Sequence, residues 1–288
     1  MSTNNKEILR IYEDLKKDFP FKGYIETASQ VGLHVAHALL PRLPQKAKIL
    51  DFGAGACDKT ALLARLGFTC RACDDLGDEW CLENNHRDII LAFAQKEGIP
   101  YDVLDGGSLP SYQEKSFDAV LILDVIEHLH NSPREILNRL VTCLKPGGLL
   151  VVAMPNSVNL RKRLSVLLGK TNYTSLESFY FSGKTFRGHV REYTQRETEK
   201  LLTYQGLEVV FSRCLHTVLH KHKKMKYPLF RFIYQALTGP FPRLRDSFIV
   251  MGRKPDSWQP VVFSPELLAK HTRRPVIRPK QETSLPNK

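Results

Sequence analysis

The chain has 288 residues, 42% of them hydrophobic, and a formal net charge of +12. This length suits one large globular domain with appendages. Its longest apolar runs are far shorter than the roughly 20 residues of a membrane-spanning helix, and no N-terminal stretch reads as a secretion signal. We therefore expect a cytoplasmic protein rather than an integral membrane or secreted one.

The positive charge is unevenly distributed. Residues 215–288 contain 15 Lys or Arg against 4 Asp or Glu, a net charge of +11, which leaves about +1 for residues 1–214. The basic character therefore belongs to a late segment, and its partner need not be a substrate.

In chain order, residues 5–42 predict two helices, after which strand and helix patterns alternate. Several strands are apolar with little alternation, which is typical of a parallel sheet covered on both faces. The sequence thus predicts an α/β fold with a mostly parallel, seven-stranded sheet. The predicted strands are Lys48–Phe52, Thr69–Asp74, Tyr101–Leu104, Phe117–Leu123, Leu149–Met154, Leu207–Ser212 and Ser247–Gly252.

Three local patterns complete the outline. Ser132–Glu135 and Thr194–Glu197 each read as a capping box at a helix start, the second helix ending at Gly206. Cys70 and Cys73 form a CxxC inside a predicted strand, where we expect reduced, mostly buried thiols rather than a metal site. The segment from 255 to 288 is rich in proline and charge, and we expect it to be a largely disordered basic tail.

A glycine turn follows the first strand. Asp51-Phe52-Gly53-Ala54-Gly55-Ala56-Cys57 lets the backbone approach a ligand closely. It is similar to a dinucleotide-binding turn, but Asp58 stands in place of the third glycine. The Asp51 carboxylate suits a cationic amino-acid moiety better than a pyrophosphate, because like charges repel.

Acidic residues also end the next two strands. Asp74, with Asp75 as the second choice, lies about 20 residues beyond the turn, where a carboxylate accepts both hydroxyls of a ribose. Asp105-Gly106 ends the third strand. There a carboxylate can bind an adenine amino group, and a nearby backbone N–H can reach a ring nitrogen.

Taken together, these motifs resemble the class I S-adenosylmethionine (SAM)-dependent methyltransferases. The resemblance is carried by Asp51–Gly55, Asp74, Asp105-Gly106, Phe117–Val120 and Leu144–Gly148. It implies a Rossmann-like sheet with helices on both faces, a catalytic domain over residues 45–254 after N-terminal helices at 1–44, and SAM as cofactor. The implied cofactor-binding residues are Asp51, Gly53, Ala54, Gly55, Asp74, Asp75, Asp105, Gly106 and Asp124.

Three further stretches narrow the resemblance to a subgroup. Asp124–Leu129, Met154–Asn156 and Gly188–Thr194 are similar to the subgroup containing ubiquinone-biosynthesis O-methyltransferases and many sugar, lipid and polyketide methyltransferases. This favours a small-molecule, lipid-linked or glycan acceptor, with transfer to oxygen.

A hydroxyl acceptor must lose a proton, which calls for a base or a metal. His128, after the fourth strand, and His189, before the helix at 194, are the candidate catalytic residues. Each is alternatively a hydrogen-bonded loop residue.

A metal site is the bolder interpretation. Asp124, Glu127 and His128 have the spacing i, i+3, i+4 and with His189 are similar to the divalent-metal set of small-RNA 2′-O-methyltransferases. Asp124 departs from that set, since it is one methylene shorter than the Glu expected there.

Two insertions remain. Residues 156–193 mix basic and aromatic side chains and are expected to cover the acceptor, the aromatics either stacking on it or forming a small core of their own. Residues 216–245 combine a basic run with an aromatic-aliphatic helix. This combination suits peripheral binding to the anionic inner face of a membrane, a helix packed on the domain, or RNA binding. An RNA methyltransferase and a non-catalytic SAM-binding protein therefore remain alternatives.

Overall fold

The computed structural model describes residues 3–27, 30–105, 111–183, 185–217 and 228–272, and within them all seven predicted strands are present. They pair into one sheet of order β3-β2-β1-β4-β5-β7-β6. Their bounds are β1 Lys48–Phe52, β2 Thr69–Asp74, β3 Tyr101–Val103, β4 Phe117–Leu123, β5 Leu144–Pro155, β6 Glu208–Leu215 and β7 Ser247–Arg253.

The sheet is mostly parallel, as predicted. Strands β1 to β5 pair in parallel, and β7 runs antiparallel between β5 and β6. The strand order reverses between β1 and β4, and in open α/β sheets a ligand crevice forms at the carboxyl ends of the strands at such a point.

Helices cover both faces of the sheet. Because successive side chains of a strand point to opposite faces, Ile49 joins a core with Leu15, Leu39, Leu62 and Phe93, whereas Leu50 joins a second core with Leu137 and Leu202. The helices are α1 Thr3–Asp18, α2 Tyr24–Thr27, α3 Val31–Leu39, α4 Asp58–Arg65, α5 Glu79–Leu82, α6 His86–Lys96, α7 Arg134–Cys143, α8 Leu160–Leu167, α9 Leu176–Tyr180, α10 Gln195–Tyr204, α11 Pro228–Thr238 and α12 Pro265–Thr272.

The helix-start predictions had different outcomes. The capping box of α10 forms, since Thr194 Oγ1 accepts from Glu197 N at 3.1 Å and Glu197 Oε2 accepts from Thr194 N at 2.8 Å. The predicted box at Ser132 is wrong, because α7 begins one position late, at Arg134, and Ser132 Oγ accepts only from Arg134 N at 3.4 Å. Among the described residues up to 39, the N-terminal region has three helices instead of the predicted two, because a break at 19–23 separates the short α2 from α1.

The prediction of disorder from residue 255 is wrong as far as residue 272. Trp258 Nε1 donates to Gln205 O at 2.7 Å, and Val261 N donates to Asn138 Oδ1 at 2.9 Å. Trp258 and Val261 thus attach this segment to α7 and to the end of α10 before α12 begins. Residues 273–288 lie outside the described part of the chain.

Two composition-based predictions can also be compared with the structure. All six cysteines are buried and free, including the Cys70–Cys73 pair, as predicted. Among the residues that the structure describes, no helix has the length and apolar character required to cross a membrane.

Candidate active site

A cavity of about 390 Å³ opens where the carboxyl ends of β1, β2 and β4 meet. Its size lies within the range of small-molecule and cofactor sites. The lining combines the glycine turn, the acids after β2, the loop after β4 and two elements that the sequence had not placed at the cofactor cavity, α2 and the end of the 156–193 lid. Its residues include Gly53, Ala54, Gly55, Asp74, Asp75, Asp124, Val125 and His128, with Tyr24 of α2 and Phe186 and Arg187 of the lid.

The turn after β1 depends on its glycines. Gly53 has φ +78°, and a Cβ built on it would lie 2.2 Å from Val125 Cγ2. Gly55 has φ +50°, and its N–H donates to Asp74 Oδ2 at 3.0 Å. The glycines therefore let the turn pack under the loop after β4 while its backbone borders the cavity.

The two acids after β2 have different partners. Asp74 accepts hydrogen bonds from Leu76 N at 2.7 Å and from Gly55 N. Burial raises the pKa of Asp74, although these two donors act to lower it. Asp75 forms a two-point ion pair with Arg187, whose hydrogen bonds hold the pKa of Asp75 below its usual value. Since a carboxylate has about four acceptor positions, Asp74 can still accept ribose hydroxyls, whereas Asp75 is already engaged.

Two of the expected cofactor-binding residues, Asp51 and Asp105, do not line this cavity. Asp51 is 1% exposed beneath the turn, outside the cavity lining, and its Oδ2 accepts from Thr60 Oγ1 at 2.6 Å. Burial raises its pKa to about 6. Asp105 is exposed, and the neighbouring Leu104 lines the cavity instead. Gly106 lies outside the described residues.

A lysine in the first turn of α4 adds a positive charge to the cavity. Lys59 Nζ lies 3.9 Å from Asp124 Oδ2. Burial by itself would lower the pKa of Lys59, but the carboxylates of Asp58 and Asp124 outweigh it and raise that pKa. Asp124 has φ +59°, a conformation that non-glycine residues adopt mainly where the surroundings impose it. Its carboxylate is thereby associated with Lys59.

The structure brings the two candidate catalytic histidines together. Their ring centroids are 4.8 Å apart, and their ring planes are nearly perpendicular. The Nδ1 atom of His128 lies 2.7 Å from Arg187 O, and that of His189 lies 2.7 Å from Glu192 Oε1. A carbonyl can only accept, so Nδ1 of His128 carries a proton, and in the neutral imidazole the lone pair is then on Nε2.

Glu127 completes a compact group with these histidines. Atoms of Glu127, His128 and His189 that could ligate a metal all lie within 4.8 Å of one another. Glu127 is 0% exposed, and among the described residues neither of its carboxylate oxygens has a hydrogen-bond partner. Burial, and then the charge of Asp124, raises its pKa to about 8. Asp124, the fourth residue of the predicted metal set, is not in this group.

A second cavity, of about 290 Å³, lies on the other side of the histidine pair. His189 lines it, whereas His128 lines the first cavity. Its other lining residues are mostly polar and come largely from the lid: Ser157, Asn172, Tyr173, Thr174, Arg191, Glu192 and Glu197. The histidines therefore stand between the predicted cofactor cavity and a polar pocket.

The lid helices α8 and α9 have no buried residue. The alternative in which the lid aromatics form their own core is wrong, because Tyr180 and Phe181 are 73% and 79% exposed. The exposed large apolar side chains of this segment are Leu164, Val166, Leu167, Leu168, Tyr173, Leu176, Phe179, Tyr180 and Phe181.

The 216–245 insertion is described only in part. Its basic run, His220–Lys226, lies outside the described residues. In α11, Tyr234 is buried and its hydroxyl donates to Asp246 Oδ1 at 2.8 Å, whereas Phe232 is 68% exposed. The helix is therefore attached to the start of β7 and leaves part of its apolar side uncovered.

Comparison with known proteins agrees with the sequence motifs. A family model described as "Methyltransferase domain" matches residues 24–211. A ubiquinone biosynthesis O-methyltransferase from Rickettsia prowazekii (strain Madrid E) is 33% identical over 111 residues, covering 38% of this chain and 41% of the relative. The Rickettsia canadensis (strain McKiel) protein of that name is 26% identical over 167 residues, covering 57% and 64%. The chain thus spans less than two thirds of these relatives.

Solved structures share the fold at low identity. A Burkholderia thailandensis 1,6-didemethyltoxoflavin-N1-methyltransferase, with bound 1,6-didemethyltoxoflavin and S-adenosylhomocysteine, gives a TM-score of 0.52 at 18% identity, covering 89% of this chain and 92% of that one. A SAM-dependent methyltransferase from Methanosarcina mazei gives 0.51 at 18% identity, covering 76% and 97%. At these identities the likeness shows the fold alone.

Proposed function

Because the chain belongs to the methyltransferase-domain family and is a SAM-dependent methyltransferase, we propose that it methylates an oxygen of a small-molecule, lipid-linked or glycan acceptor. The observation that carries the proposal is the His128–His189 pair between the two cavities. SAM supplies an activated methyl group, so the protein mainly has to align donor and acceptor and exclude water.

In this proposal the cofactor occupies the larger cavity and the acceptor enters the polar one. Asp74 binds the ribose, and the remaining acids of the cavity suit the positive charges of SAM, its sulfonium and its ammonium. Lys59 is the cation available for the carboxylate at the methionine end. The name of the Rickettsia relatives, an O-methyltransferase, supports oxygen as the methylated atom.

We assign the proton transfer to His128. Its Nε2 lone pair is the group that a general base requires, and His189 lies beside it. His128→Ala should lower the transfer rate roughly 10²-fold, a larger effect than its effect on SAM affinity. The matched control is His37→Ala, since His37 of α3 lines neither cavity. Near-normal turnover of the His128 variant would make that residue structural.

A divalent metal at Glu127, His128 and His189 is the second candidate. The residues fit such an ion, because an orphaned buried carboxylate faces two histidines whose Nδ1 atoms are held by other acceptors, as metal-ligating histidines usually are. A bound ion would lower the pKa of an acceptor hydroxyl. Activity lost with a chelator and restored by a metal would support it, and full activity in the chelator would reject it.

The exposed lid supports an acceptor met at a membrane surface. Nine large apolar side chains of residues 164–181 are solvent-exposed, and Arg161, Arg163 and Lys170 flank them. Apolar side chains next to basic ones suit an anionic bilayer. Co-sedimentation with vesicles containing anionic lipid tests this, with Leu167→Glu/Leu168→Glu as the variant that should stay in solution. Equal recovery on neutral and anionic vesicles would reject the charge contribution.

The acceptor class is tested directly by incubating the protein and tritiated SAM with host extract, then separating lipid, polysaccharide, RNA and protein fractions. We expect label in the lipid or polysaccharide fraction, or in a small molecule. Label in RNA, with RNA binding that weakens steeply with salt, would favour the alternative of an RNA methyltransferase guided by the basic C-terminal region.

A further inference from the structure

Arg187 of the lid contacts both sides of the candidate active site. Its guanidinium pairs with Asp75, with Nη1 3.1 Å from Oδ1 and Nη2 2.8 Å from Oδ2, and Nη1 lies 3.5 Å from Asp78 Oδ1. Its own carbonyl oxygen lies 2.7 Å from His128 Nδ1. One residue therefore links the loop after β2, which lines the cofactor cavity, to the proposed base.

The loop after β2 provides space for this guanidinium. A Cβ built on Gly77 would lie 2.3 Å from Arg187 Nη2. Asp75 is further fixed by the N–H of Gly77, which donates to Asp75 Oδ1 at 3.0 Å. The guanidinium thus lies against bare backbone between two carboxylates, in a two-point geometry that a lysine cannot reproduce.

The chain around Arg187 is held to the loop after β4 mainly by its backbone. His130 Nε2 lies 2.8 Å from Phe186 O, and Glu127 O accepts from Val190 N at 2.7 Å and from Arg191 N at 3.1 Å. We name residues 185–191 the return arm. The return arm is attached on one side to the loop after β4, which carries His128. Through the Arg187 side chain it is attached on the other side to the loop after β2.

We infer that Arg187 is a positioning residue: its ion pair with Asp75 fixes the return arm so that the Arg187 carbonyl holds His128 in the Nδ1–H form, which leaves Nε2 for the proposed proton transfer. The inference rests on the proposed role of His128 in the reaction. Without the ion pair the return arm keeps the hydrogen bonds of Phe186, Val190 and Arg191 to the loop after β4 but loses its anchor at the cofactor cavity. The carbonyl of residue 187 then loses the side-chain anchor that keeps it opposite the His128 ring.

The test compares Arg187→Ala, Arg187→Lys and Asp75→Asn with Arg65→Ala as matched control. Arg65 forms a two-point pair with Glu97 at 2.7 and 2.6 Å, between α4 and α6, and it lines neither of the two cavities. The first readout is nitrogen-15 NMR of the His128 ring. We expect one Nδ1–H form in the wild type and in Arg65→Ala, and mixed forms in Arg187→Ala. An unchanged His128 ring in folded Arg187→Ala and Arg187→Lys would overturn the inference.

The second readout is methyl transfer from tritiated SAM to the labelled acceptor fraction. We expect Arg187→Ala to lower the rate roughly 10-fold to 10²-fold, with an intermediate loss in Arg187→Lys. S-adenosylhomocysteine affinity is measured in the same variants, because Arg187 lines the cofactor cavity, and transfer rates are compared at saturating SAM. Because both residues act through one ion pair, Arg187→Ala/Asp75→Asn should be no slower than the slower single variant, and additive losses would overturn the coupling. A changed His128 ring with unchanged turnover would instead refute the proposed role of His128 in the reaction.

Discussion

Replacing Gly53 with alanine should destabilise the protein, because the turn after β1 needs a left-handed backbone at this position and has no space for a Cβ. Alanine would have to adopt φ +78°, and its Cβ would lie 2.2 Å from Val125 Cγ2. The left-handed backbone costs roughly 1–2 kcal/mol for an L-residue. Overpacking against a stiff β-branched side chain adds about 1–3 kcal/mol. We therefore expect a total loss of about 2–5 kcal/mol.

Gly55→Ala separates this effect from ligand exclusion. Gly55 also has a left-handed backbone, at φ +50°, but nothing lies within 4 Å of a Cβ built on it. The second variant should lose only about 1–2 kcal/mol of stability. Because Gly55 lines the cofactor cavity, its added methyl group should weaken S-adenosylhomocysteine binding roughly 10-fold or more.

The assays are urea unfolding for stability and calorimetry for S-adenosylhomocysteine affinity. Adding Val125→Ala to Gly53→Ala removes the clashing methyl groups and should restore the roughly 1–3 kcal/mol assigned to overpacking, after correction for the cost of Val125→Ala alone. The reasoning is refuted if Gly53→Ala unfolds within about 0.5 kcal/mol of the wild type, or if Val125→Ala restores nothing.

Three further predictions concern single side chains. Asp74→Ala should weaken SAM binding by roughly 1.5–3 kcal/mol in calorimetry, and unchanged affinity in a folded variant would remove Asp74 from the ribose site. Burial raises the pKa of Asp51 to about 6, above its ordinary 3.8, so the folded state loses stability as the pH rises from about 4 to about 6 and does not regain it at higher pH. The stability of Asp51→Asn relative to the wild type should therefore increase by about 2 kcal/mol between pH 4.5 and pH 7 in urea unfolding; a pH-independent difference would contradict this. Trp258→Ala should release the chain after residue 255, with a loss of roughly 1–3 kcal/mol and faster proteolysis there, whereas unchanged cleavage would show that Trp258 is not the anchor.

The sequence by itself predicted the sheet, the glycine turn and the acid Asp74 that line the cavity at its centre, and the capping box of α10. These features follow from local patterns: apolar runs of strand length, glycines where the backbone turns with positive φ, and Thr194 three residues before Glu197. Asp74 could be chosen because the residue that ends a strand next to the switch point must face the crevice.

Only the tertiary structure decided which distant residues meet at the site. Tyr24, Lys59 and Arg187 carry no motif, because their roles depend on how α2, α4 and the lid pack around the cavity. Asp51 has the expected motif position, yet packing turns its carboxylate toward Thr60 beneath the turn. Likewise the spacing i, i+3, i+4 suggested that Asp124 joins Glu127 and His128, but its left-handed backbone breaks the helical geometry on which that spacing argument depends. Spacing along the chain determines neighbours only where the backbone is regular, and active-site loops depart from regularity.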